Sequence, residues 1–215
     1  MAAEVFEKIY EKPGKAIWTF EEPPKTLVEL VENDVIRPSK TIDLGCGEGF
    51  YSIYLASNGF DVLGVDISAR AINYATINAR QKNTNVRFQK HDVLEENTLG
   101  ENFELSFEWA LLHHIAFEYR EKYVEKVSRM LIPKAKYVSA SFDIDSPNYI
   151  GSNNRIRPTP FGTTLYHSTI DELVTLFSPF FNILEKRQIE MFGKGIKHLA
   201  NLLIMEKRDK KVSDF

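Results

Sequence analysis

The sequence predicts an α/β fold with a mostly parallel sheet and helices on both faces, and three observations support it. Short β-like runs alternate with helical segments of about 10–15 residues, which is typical of parallel βαβ units. Near the C-terminus a short connection at residues 192–195 joins two β-like runs, so these are expected to pair as an antiparallel hairpin. A glycine-rich segment, residues 43–49, lies between the first strand and its helix.

Proline and glycine residues divide the first part of the chain. The first 25 residues are predicted to form a short helix and an irregular arm, because Pro13-Gly14 and Pro23-Pro24 interrupt them. Apolar residues at helical spacing over residues 27–31 predict the next helix. Pro38-Ser39 ends that helix and precedes the first buried strand, residues 41–44.

The rest of the chain alternates between strands and helices. Runs of apolar, β-branched and aromatic residues predict strands at residues 62–65, 86–89, 103–108, 137–142, 181–190 and 198–207. Apolar residues at helical spacing predict helices at residues 51–58, 119–131 and 170–177, and a further helix that Ser68 caps. Pro133 is expected to separate helix 119–131 from the strand after it. The polar stretch 143–168 is too long for an ordinary connection and is expected to be a lid.

Composition and charge exclude several classes of protein. The 215 residues suit a single domain, and the net charge of -3 disfavours a nucleic-acid partner. Cys46 is the single cysteine, which excludes an intramolecular disulfide and a thiolate-rich zinc site. No apolar run is long enough to span a membrane, and the acidic N-terminus is unlike an import peptide. We therefore expect one domain over residues 1–215 in the cytoplasm, as a monomer or homodimer with no membrane contact.

The segment Asp43-Leu44-Gly45-Cys46-Gly47-Glu48-Gly49 is the sharpest functional signal. Ligands of open α/β sheets bind beyond the carboxyl ends of the strands, where glycines allow close approach of the backbone. Phe50 stands where a dinucleotide fingerprint needs its third glycine, and the Gly-Lys-Ser/Thr of a P-loop is missing. Asp43 and Glu48 would repel a pyrophosphate but suit a cationic ligand. S-adenosylmethionine, with a sulfonium and an ammonium group and no phosphate, fits this loop.

Two further acids follow the next two strands. Asp66 ends the second strand about 20 residues after Gly45, the spacing at which a carboxylate accepts hydrogen bonds from ribose hydroxyls. Asp92 follows the third strand, where a carboxylate could accept from an adenine amino group. Both also have plain structural interpretations, Asp66 as a helix N-cap and Asp92 as a solvated turn residue.

Taken together, these segments resemble the class I S-adenosylmethionine-dependent methyltransferases over roughly residues 38 to 207. The resemblance lies in Ile42-Asp43-Leu44-Gly45-Cys46-Gly47-Glu48-Gly49, in Gly64-Val65-Asp66-Ile67-Ser68, in Asp92-Val93, and in Phe103-Glu104 through Leu111-Leu112-His113-His114-Ile115. It implies a Rossmann-like seven-stranded sheet of order 3-2-1-4-5-7-6 with strand seven antiparallel. It also implies S-adenosylmethionine as cofactor and S-adenosylhomocysteine as product.

The resemblance implies specific roles for individual residues. Gly45 and Gly47 would lie against the methionine part of the cofactor, Asp66 on the ribose, Ile67 against the adenine ring and Asp92 near its amino group. The complete set of expected cofactor contacts is Trp18, Asp43, Gly45, Cys46, Gly47, Asp66, Ile67, Asp92, Val93, Glu108 and Trp109. No metal ligands are expected.

The acceptor is expected to meet the residues after the fourth strand. Methyltransferases that act on planar amides or bases typically carry Asn/Asp-Pro-Pro-Tyr/Phe there, whereas this chain has Glu-Trp-Ala-Leu. That difference argues against adenine, cytosine or glutamine as the acceptor. Adjacent His113 and His114 are the catalytic candidates, because one of them could serve as a general base.

The N-terminal arm narrows the expected acceptor. Ile17-Trp18-Thr19-Phe20 with the prolines after it looks like the arm that folds over the cofactor in thiol, thiopurine and halide S-methyltransferases. Arg120-Glu121-Lys122-Tyr123 is similar to a stretch of that group whose arginine holds a substrate carboxylate. Arg120 is therefore an expected substrate-binding residue, and Tyr166 is another because it lies near the end of the expected lid, where it could line the pocket.

The sequence thus predicts a methyltransferase acting on a small-molecule acceptor, with a thiol as the first choice. An O- or N-methyltransferase of a small metabolite with a histidine base is the alternative within the same class. A nucleotide-binding oxidoreductase and a non-catalytic cofactor-binding protein are the alternatives from other classes. The missing third glycine counts against the oxidoreductase.

Overall fold

A seven-stranded sheet carries the fold, as the sequence predicts. The computed structural model describes residues 2–95, 99–100, 102–147, 155–193 and 196–209. The strands of the sheet are β1 Lys40–Leu44, β2 Asp61–Asp66, β3 Arg87–Lys90, β4 Phe103–Trp109, β5 Leu131–Phe142, β8 Phe181–Gly193 and β9 Ile196–Lys207. Two short strands outside the sheet, β6 Ile156–Pro158 and β7 Thr164–Tyr166, pair with each other.

The strand order of the sheet is β3-β2-β1-β4-β5-β9-β8. Strands β1 to β5 are parallel, and β9 is antiparallel to both of its neighbours, β5 and β8. With the strands of the sheet counted along the chain, β8 is the sixth and β9 the seventh. The predicted order 3-2-1-4-5-7-6 with strand seven reversed is therefore confirmed.

Six α-helices accompany the sheet in the described part of the chain. They are α1 Ala2–Ile9, α2 Lys25–Glu32, α3 Phe50–Ser57, α4 Ala69–Gln81, α5 Phe117–Met130 and α6 Ile170–Phe177. The predicted cap of α4 is confirmed, because the Oγ of Ser68 accepts from the backbone N–H of Ala71 at 3.1 Å. At α6, Thr169 and Glu172 form a reciprocal capping box.

Two apolar clusters cover opposite faces of the sheet. Along β2, Leu63 and Val65 belong to the cluster that contains residues of α5 and α6, whereas Val62 belongs to the cluster that contains residues of α2 and α3. This alternation follows from the two-residue period of a strand, which sends neighbouring side chains to opposite faces. Both faces are therefore buried, and the carboxyl ends of the strands are left for a ligand.

The expected boundary at Pro133 is wrong. Helix α5 ends at Met130 and β5 begins at the next residue, so Pro133 lies within the strand. Pairing with β4 runs from Phe103 opposite Leu131 directly to Leu105 opposite Lys136, which leaves an irregular stretch between them. Pro133 lies in that stretch, where a residue without an N–H can be accommodated.

The expected lid, residues 143–168, is described except for residues 148–154. Its later part is the β6–β7 hairpin, and a bridge between Asp143 and Ser168 joins the two ends of the segment beside the sheet. The opening and closing of this segment stays a prediction.

Candidate active site

A cavity of about 560 Å³ lies at the carboxyl ends of β1, β2 and β4. This volume is typical of a small-molecule site. Its walls include the glycine loop after β1, the N-terminal arm, the turns after β2, β3 and β4, the β6–β7 hairpin, and adjacent ends of β5, β8 and β9.

The glycine loop folds back onto the end of β2. The N–H groups of Gly45 and Cys46 both donate to the carbonyl of Val65, at 2.8 and 2.9 Å. Gly45 and Gly47 have φ angles of 71° and 55°, in the left-handed region that favours glycine. The loop therefore presents backbone to the cavity. Burial raises the pKa of the Cys46 thiol well above its usual value, so this side chain is neutral.

Asp66 joins the glycine loop to the following helix. Its Oδ2 accepts from the N–H of Gly47 at 3.0 Å, and its Oδ1 accepts from the N–H of Ser68 at 2.9 Å. Burial raises the pKa of Asp66 to about 6, although these two hydrogen bonds lower it. Each carboxylate oxygen has a second lone pair, so the two bonds leave Asp66 able to accept from a ligand.

Asp43 also lines the cavity, close to the loop. Its Oδ2 accepts from the hydroxyl of Ser52 at 2.5 Å. Burial raises the pKa of Asp43 to about 7, and the nearby carboxylates of Asp66 and Glu108 act in the same direction. A positively charged ligand group would reverse this effect and favour the ionised form.

The residues expected near the adenine belong to the lining of the cavity. Ile67, Asp92 and Val93 all line it. Asp92 also has a structural role, because its Oδ1 accepts from the N–H of Leu94 at 2.9 Å within a turn. Their cofactor contacts stay predictions.

Glu48 lies in the glycine loop, where its charge is expected to suit a cationic ligand, but its carboxylate contacts the N-terminal arm. Its carboxylate oxygens each lie 3.0 Å from the N–H of Gly14, and Oε1 also accepts from the hydroxyl of Thr19 at 3.0 Å. Both donors belong to the N-terminal arm. Glu48 therefore fastens the arm over the glycine loop, and its charge is already engaged by the chain itself.

Aromatic side chains of the arm form one wall of the cavity. The indole Nε1 of Trp18 donates to the hydroxyl of Tyr10 at 2.7 Å. The rings of Phe6 and Trp18 lie edge-on to His114, with centroid distances of 5.3 and 5.6 Å. The arm thus joins the loop after β1 to the turn after β4.

Glu108 and Trp109 end β4, and only one of them reaches the cavity. Trp109 lines it and stacks on Phe107 with centroids 6.0 Å apart. Glu108 is fully buried and is not among the lining residues, so its expected contact with the cofactor stays a prediction. Its Oε2 accepts from the N–H groups of Leu111 and Leu112 at 2.9 and 3.2 Å, and Ser139 donates to Oε1. Glu108 therefore holds the turn in place.

Both candidate catalytic histidines line the cavity from a 3-10 turn, Leu112–His114. The Nδ1 of His113 accepts from the backbone N–H of Phe142 at 3.1 Å, and the two rings stack with centroids 3.9 Å apart. The Nδ1 of His114 is buried, with no hydrogen-bond partner among the described residues. Burial lowers the pKa of His114 to about 4.

Arg120, the expected partner of a substrate carboxylate, is not among the residues that line the cavity, and that role stays a prediction. Its buried guanidinium donates to the carbonyls of Ile115 at 2.9 Å, Leu112 at 3.2 Å and Tyr166 at 2.5 Å, and to the hydroxyl of Ser168 at 2.6 Å. Every nitrogen of the group is thus engaged by the chain. Tyr166 does line the cavity, and Arg120 fixes its backbone.

The sequence interpretation missed several lining residues. Tyr10, Phe142 and His198 line the cavity, and His198 stacks on Phe142 with centroids 4.2 Å apart. The sequence held one signal for His198: it begins the predicted seventh strand, which the expected order places beside strand five. Tyr10 had no such signal, because its contact depends on the path of an irregular arm.

Acidic side chains line the cavity without a described lysine or arginine beside them. Its ionisable acids are Asp43, Glu48, Asp66, Asp92 and Glu118, and no lysine or arginine occurs among the described residues that line it. Within the described ranges, no group of three or more metal-ligating side chains is arranged to hold a metal ion. No described helix is both long enough and apolar enough to cross a membrane.

A family model described as a methyltransferase domain matches residues 38–178. Among curated proteins, the 2-heptyl-1-hydroxyquinolin-4(1H)-one methyltransferase of Mycobacteroides abscessus is 29% identical over 127 residues, 59% of this chain and 56% of that protein. Probable thiol methyltransferase 2 of Arabidopsis thaliana is 26% identical over 146 residues, 65% of this chain and 62% of that protein. The chain thus spans less than two thirds of the length of these relatives.

Solved structures show the same fold. A structure described as "Conversion of a Disulfide Bond into a Thioacetal Group during Echinomycin Biosynthesis" superposes with a TM-score of 0.83 at 23% identity, covering 99% of this chain and 95% of that one. The 1,6-didemethyltoxoflavin-N1-methyltransferase of Burkholderia thailandensis, with bound 1,6-didemethyltoxoflavin and S-adenosylhomocysteine, superposes with a TM-score of 0.77 at 20% identity, covering 97% of this chain and 88% of that one.

Proposed function

This chain belongs to the family of methyltransferase domains, and on that premise we propose that it transfers the methyl group of S-adenosylmethionine to a small-molecule acceptor. The predicted membership of the S-adenosylmethionine-dependent class is confirmed by the family match and by the fold. The acceptor and the atom that is methylated are part of the proposal.

The observation that carries the proposal is the chemistry of the cavity lining. The glycine loop and Asp66 stand together at the carboxyl ends of β1 and β2, beside an acidic lining without a described lysine or arginine. The acidic side chains disfavour a pyrophosphate there, whereas a sulfonium or ammonium group would be attracted and would favour the ionised forms of Asp43 and Asp66. The residues present therefore fit S-adenosylmethionine better than a dinucleotide.

The chain contributes binding, orientation and exclusion of water. When bound, S-adenosylmethionine supplies an electrophilic methyl carbon next to a positively charged sulfur. Gly45, Gly47 and Asp66 would hold the cofactor, and the arm that Glu48 fastens would close over it. Positioning the nucleophile and excluding water supply most of the assistance that a displacement at carbon needs.

A thiol is the acceptor class that these residues support best. A general base works best with a pKa near the working pH, but the pKa of His114 is about 4. His113 cannot accept a proton at Nδ1, because that lone pair already accepts from Phe142. A thiol needs little help from a base, since a useful fraction of it is ionised near neutral pH. An O- or N-methyltransferase with a histidine base receives less support.

An acceptor screen tests this proposal. Thiophenol, phenol and aniline are incubated with the full chain and S-adenosylmethionine, and release of S-adenosylhomocysteine is measured. We expect turnover of thiophenol, and His114→Ala should retain the rate within about tenfold, or about 1.4 kcal/mol. Turnover of phenol that falls a thousandfold in His114→Ala would instead indicate O-methylation with a histidine base. Cofactor binding without any turnover would indicate a non-catalytic binding protein.

A further inference from the structure

We infer that His113 is a hydrogen-bond donor to the acceptor, through the N–H at its Nε2, and not a base. The inference rests on the proposed function, because it assigns a residue that holds the acceptor of that reaction. Its structural part, the position of the proton on the ring, can be tested without any turnover.

The position of the proton follows from the backbone. The amide nitrogen of Phe142 can only donate, so the Nδ1 that it contacts at 3.1 Å must offer a lone pair. In a neutral imidazole the other nitrogen, Nε2, then carries the hydrogen. Because the edge with Nδ1 is turned to the backbone of Phe142, the edge with Nε2 is the polar edge that His113 can present to the cavity.

The surroundings keep this ring neutral. Burial lowers the pKa of His113 well below its usual value, and every charged or titratable group found to influence it acts in the same direction. These groups are His114, His167, His198 and Arg120. The ring therefore stays in the form with one N–H over the working range of pH.

The orientation of His113 is fixed on several sides. Its ring stacks on Phe142 with an interplanar angle of 5°, and His198 stacks on the same phenyl ring. The backbone of the turn is held by the carboxylate of Glu108, which accepts from Leu111 and Leu112. Glu108 is thus a positioning residue for His113, and this explains a buried carboxylate at the end of β4.

A fixed donor selects acceptors by what they present to it. An ionised sulfur or oxygen, a ring nitrogen with a lone pair or a carbonyl oxygen can accept from Nε2–H, whereas an ammonium group cannot. In the transfer, the acceptor's lone pair forms the bond to the methyl carbon while the carbon–sulfur bond breaks and its electron pair stays on the cofactor sulfur. No proton moves to His113, so a thiol must lose its proton to solvent before the transfer.

Two substitutions of His113 distinguish the role of the N–H at Nε2 from that of the contact between Nδ1 and the backbone of Phe142. Asn places its oxygen near the position of Nδ1, so His113→Asn keeps an acceptor for Phe142 and loses the donor. Gln places its amide N–H₂ near the position of Nε2, so His113→Gln keeps the donor and loses that acceptor. With thiophenol, we expect kcat/KM to fall about 10- to 100-fold in His113→Asn and less in His113→Gln. The opposite order would overturn the inference, because it would show that only the contact with Phe142 matters.

Nitrogen-15 correlation spectra of the full chain test the proton position directly. We expect an unprotonated Nδ1 and a protonated Nε2 for His113, in a signal assigned by its loss in His113→Gln. A protonated Nδ1 would overturn the inference. If no thiol is turned over, the proposed thiol acceptor is contradicted, and the spectra alone then decide the position of the proton on His113.

Discussion

The hydroxyl of Tyr10 occupies the space that a side chain at position 47 would need. A Cβ atom placed on Gly47 would lie 2.8 Å from the Oη of Tyr10, closer than real Cβ contacts. The glycine loop and the arm are therefore fitted to each other, and the arm itself disfavours a side chain at position 47.

This fit predicts the effect of Gly47→Ala. The substitution should displace Tyr10 and weaken binding of S-adenosylhomocysteine about tenfold, and Tyr10→Phe in the same chain should recover part of the loss because it removes the hydroxyl. Gly100→Ala is the control for backbone strain, since Gly100 has a φ angle of 67° and no atom within 4 Å of a built Cβ. Strictly additive effects of the two substitutions would show that the contact does not matter. Calorimetric titration measures the native protein, the two single variants, the double variant and the control.

Glu48→Gln should release the arm. An amide accepts through its oxygen only and carries no charge. The substitution therefore weakens or removes some of the hydrogen bonds that Glu48 accepts from Gly14 and Thr19. We expect faster hydrogen exchange over residues 14–19 and about tenfold weaker binding of S-adenosylhomocysteine. Glu22→Gln, at an exposed position of the same arm, is the control. Unchanged exchange in Glu48→Gln would contradict the fastening role.

Arg120→Lys separates a structural arginine from one that binds substrate. Lysine cannot reproduce the bonds to three carbonyls and Ser168, so we expect a loss of about 2–4 kcal/mol in the free energy of unfolding. Because Arg120 does not line the cavity, the ratio of rates for thiosalicylate and thiophenol should stay unchanged. A rate that falls for thiosalicylate but not for thiophenol would instead indicate that Arg120 binds a substrate carboxylate. Urea unfolding and the release assay supply the two measurements.

His114→Phe should make the fold less sensitive to acid. Burial lowers the pKa of His114 to about 4 in the folded state, against about 6.5 when the chain is unfolded. The unfolded state thus binds more protons between these values, and stability is lost as the pH falls through them. The native protein should therefore lose about 2 kcal/mol more than His114→Phe between pH 8 and pH 5. Urea unfolding at both pH values checks this, and equal losses would contradict the buried, neutral state of His114.

The fold could be predicted because each of its elements is determined by a pattern of residues that lie close together in the sequence. Ser68 before a helical pattern, the apolar residues at helical spacing over 170–177 and the short connection before β9 each determine an element or its direction within a few residues. The glycine loop and Asp66 were predictable for the same reason, since both follow a strand directly.

The roles of Glu48, Glu108 and Arg120 were not predictable in this way. Each was interpreted from its place near a motif, but at least one partner of each lies far along the chain: Gly14 for Glu48, Ser139 for Glu108 and Tyr166 for Arg120. A buried charged side chain takes the role that its hydrogen-bond partners give it. Those partners are brought close only by the packed fold.

Calorimetric titration of S-adenosylmethionine into the native protein and into Asp66→Ala tests the central claim most directly, with NAD as the competing ligand. We expect the native protein to bind S-adenosylmethionine and not NAD. We expect Asp66→Ala to remain folded by circular dichroism and to lose about 1.5–3 kcal/mol of binding free energy. Binding of NAD, or equal affinity for S-adenosylmethionine in the native protein and in Asp66→Ala, would contradict this claim.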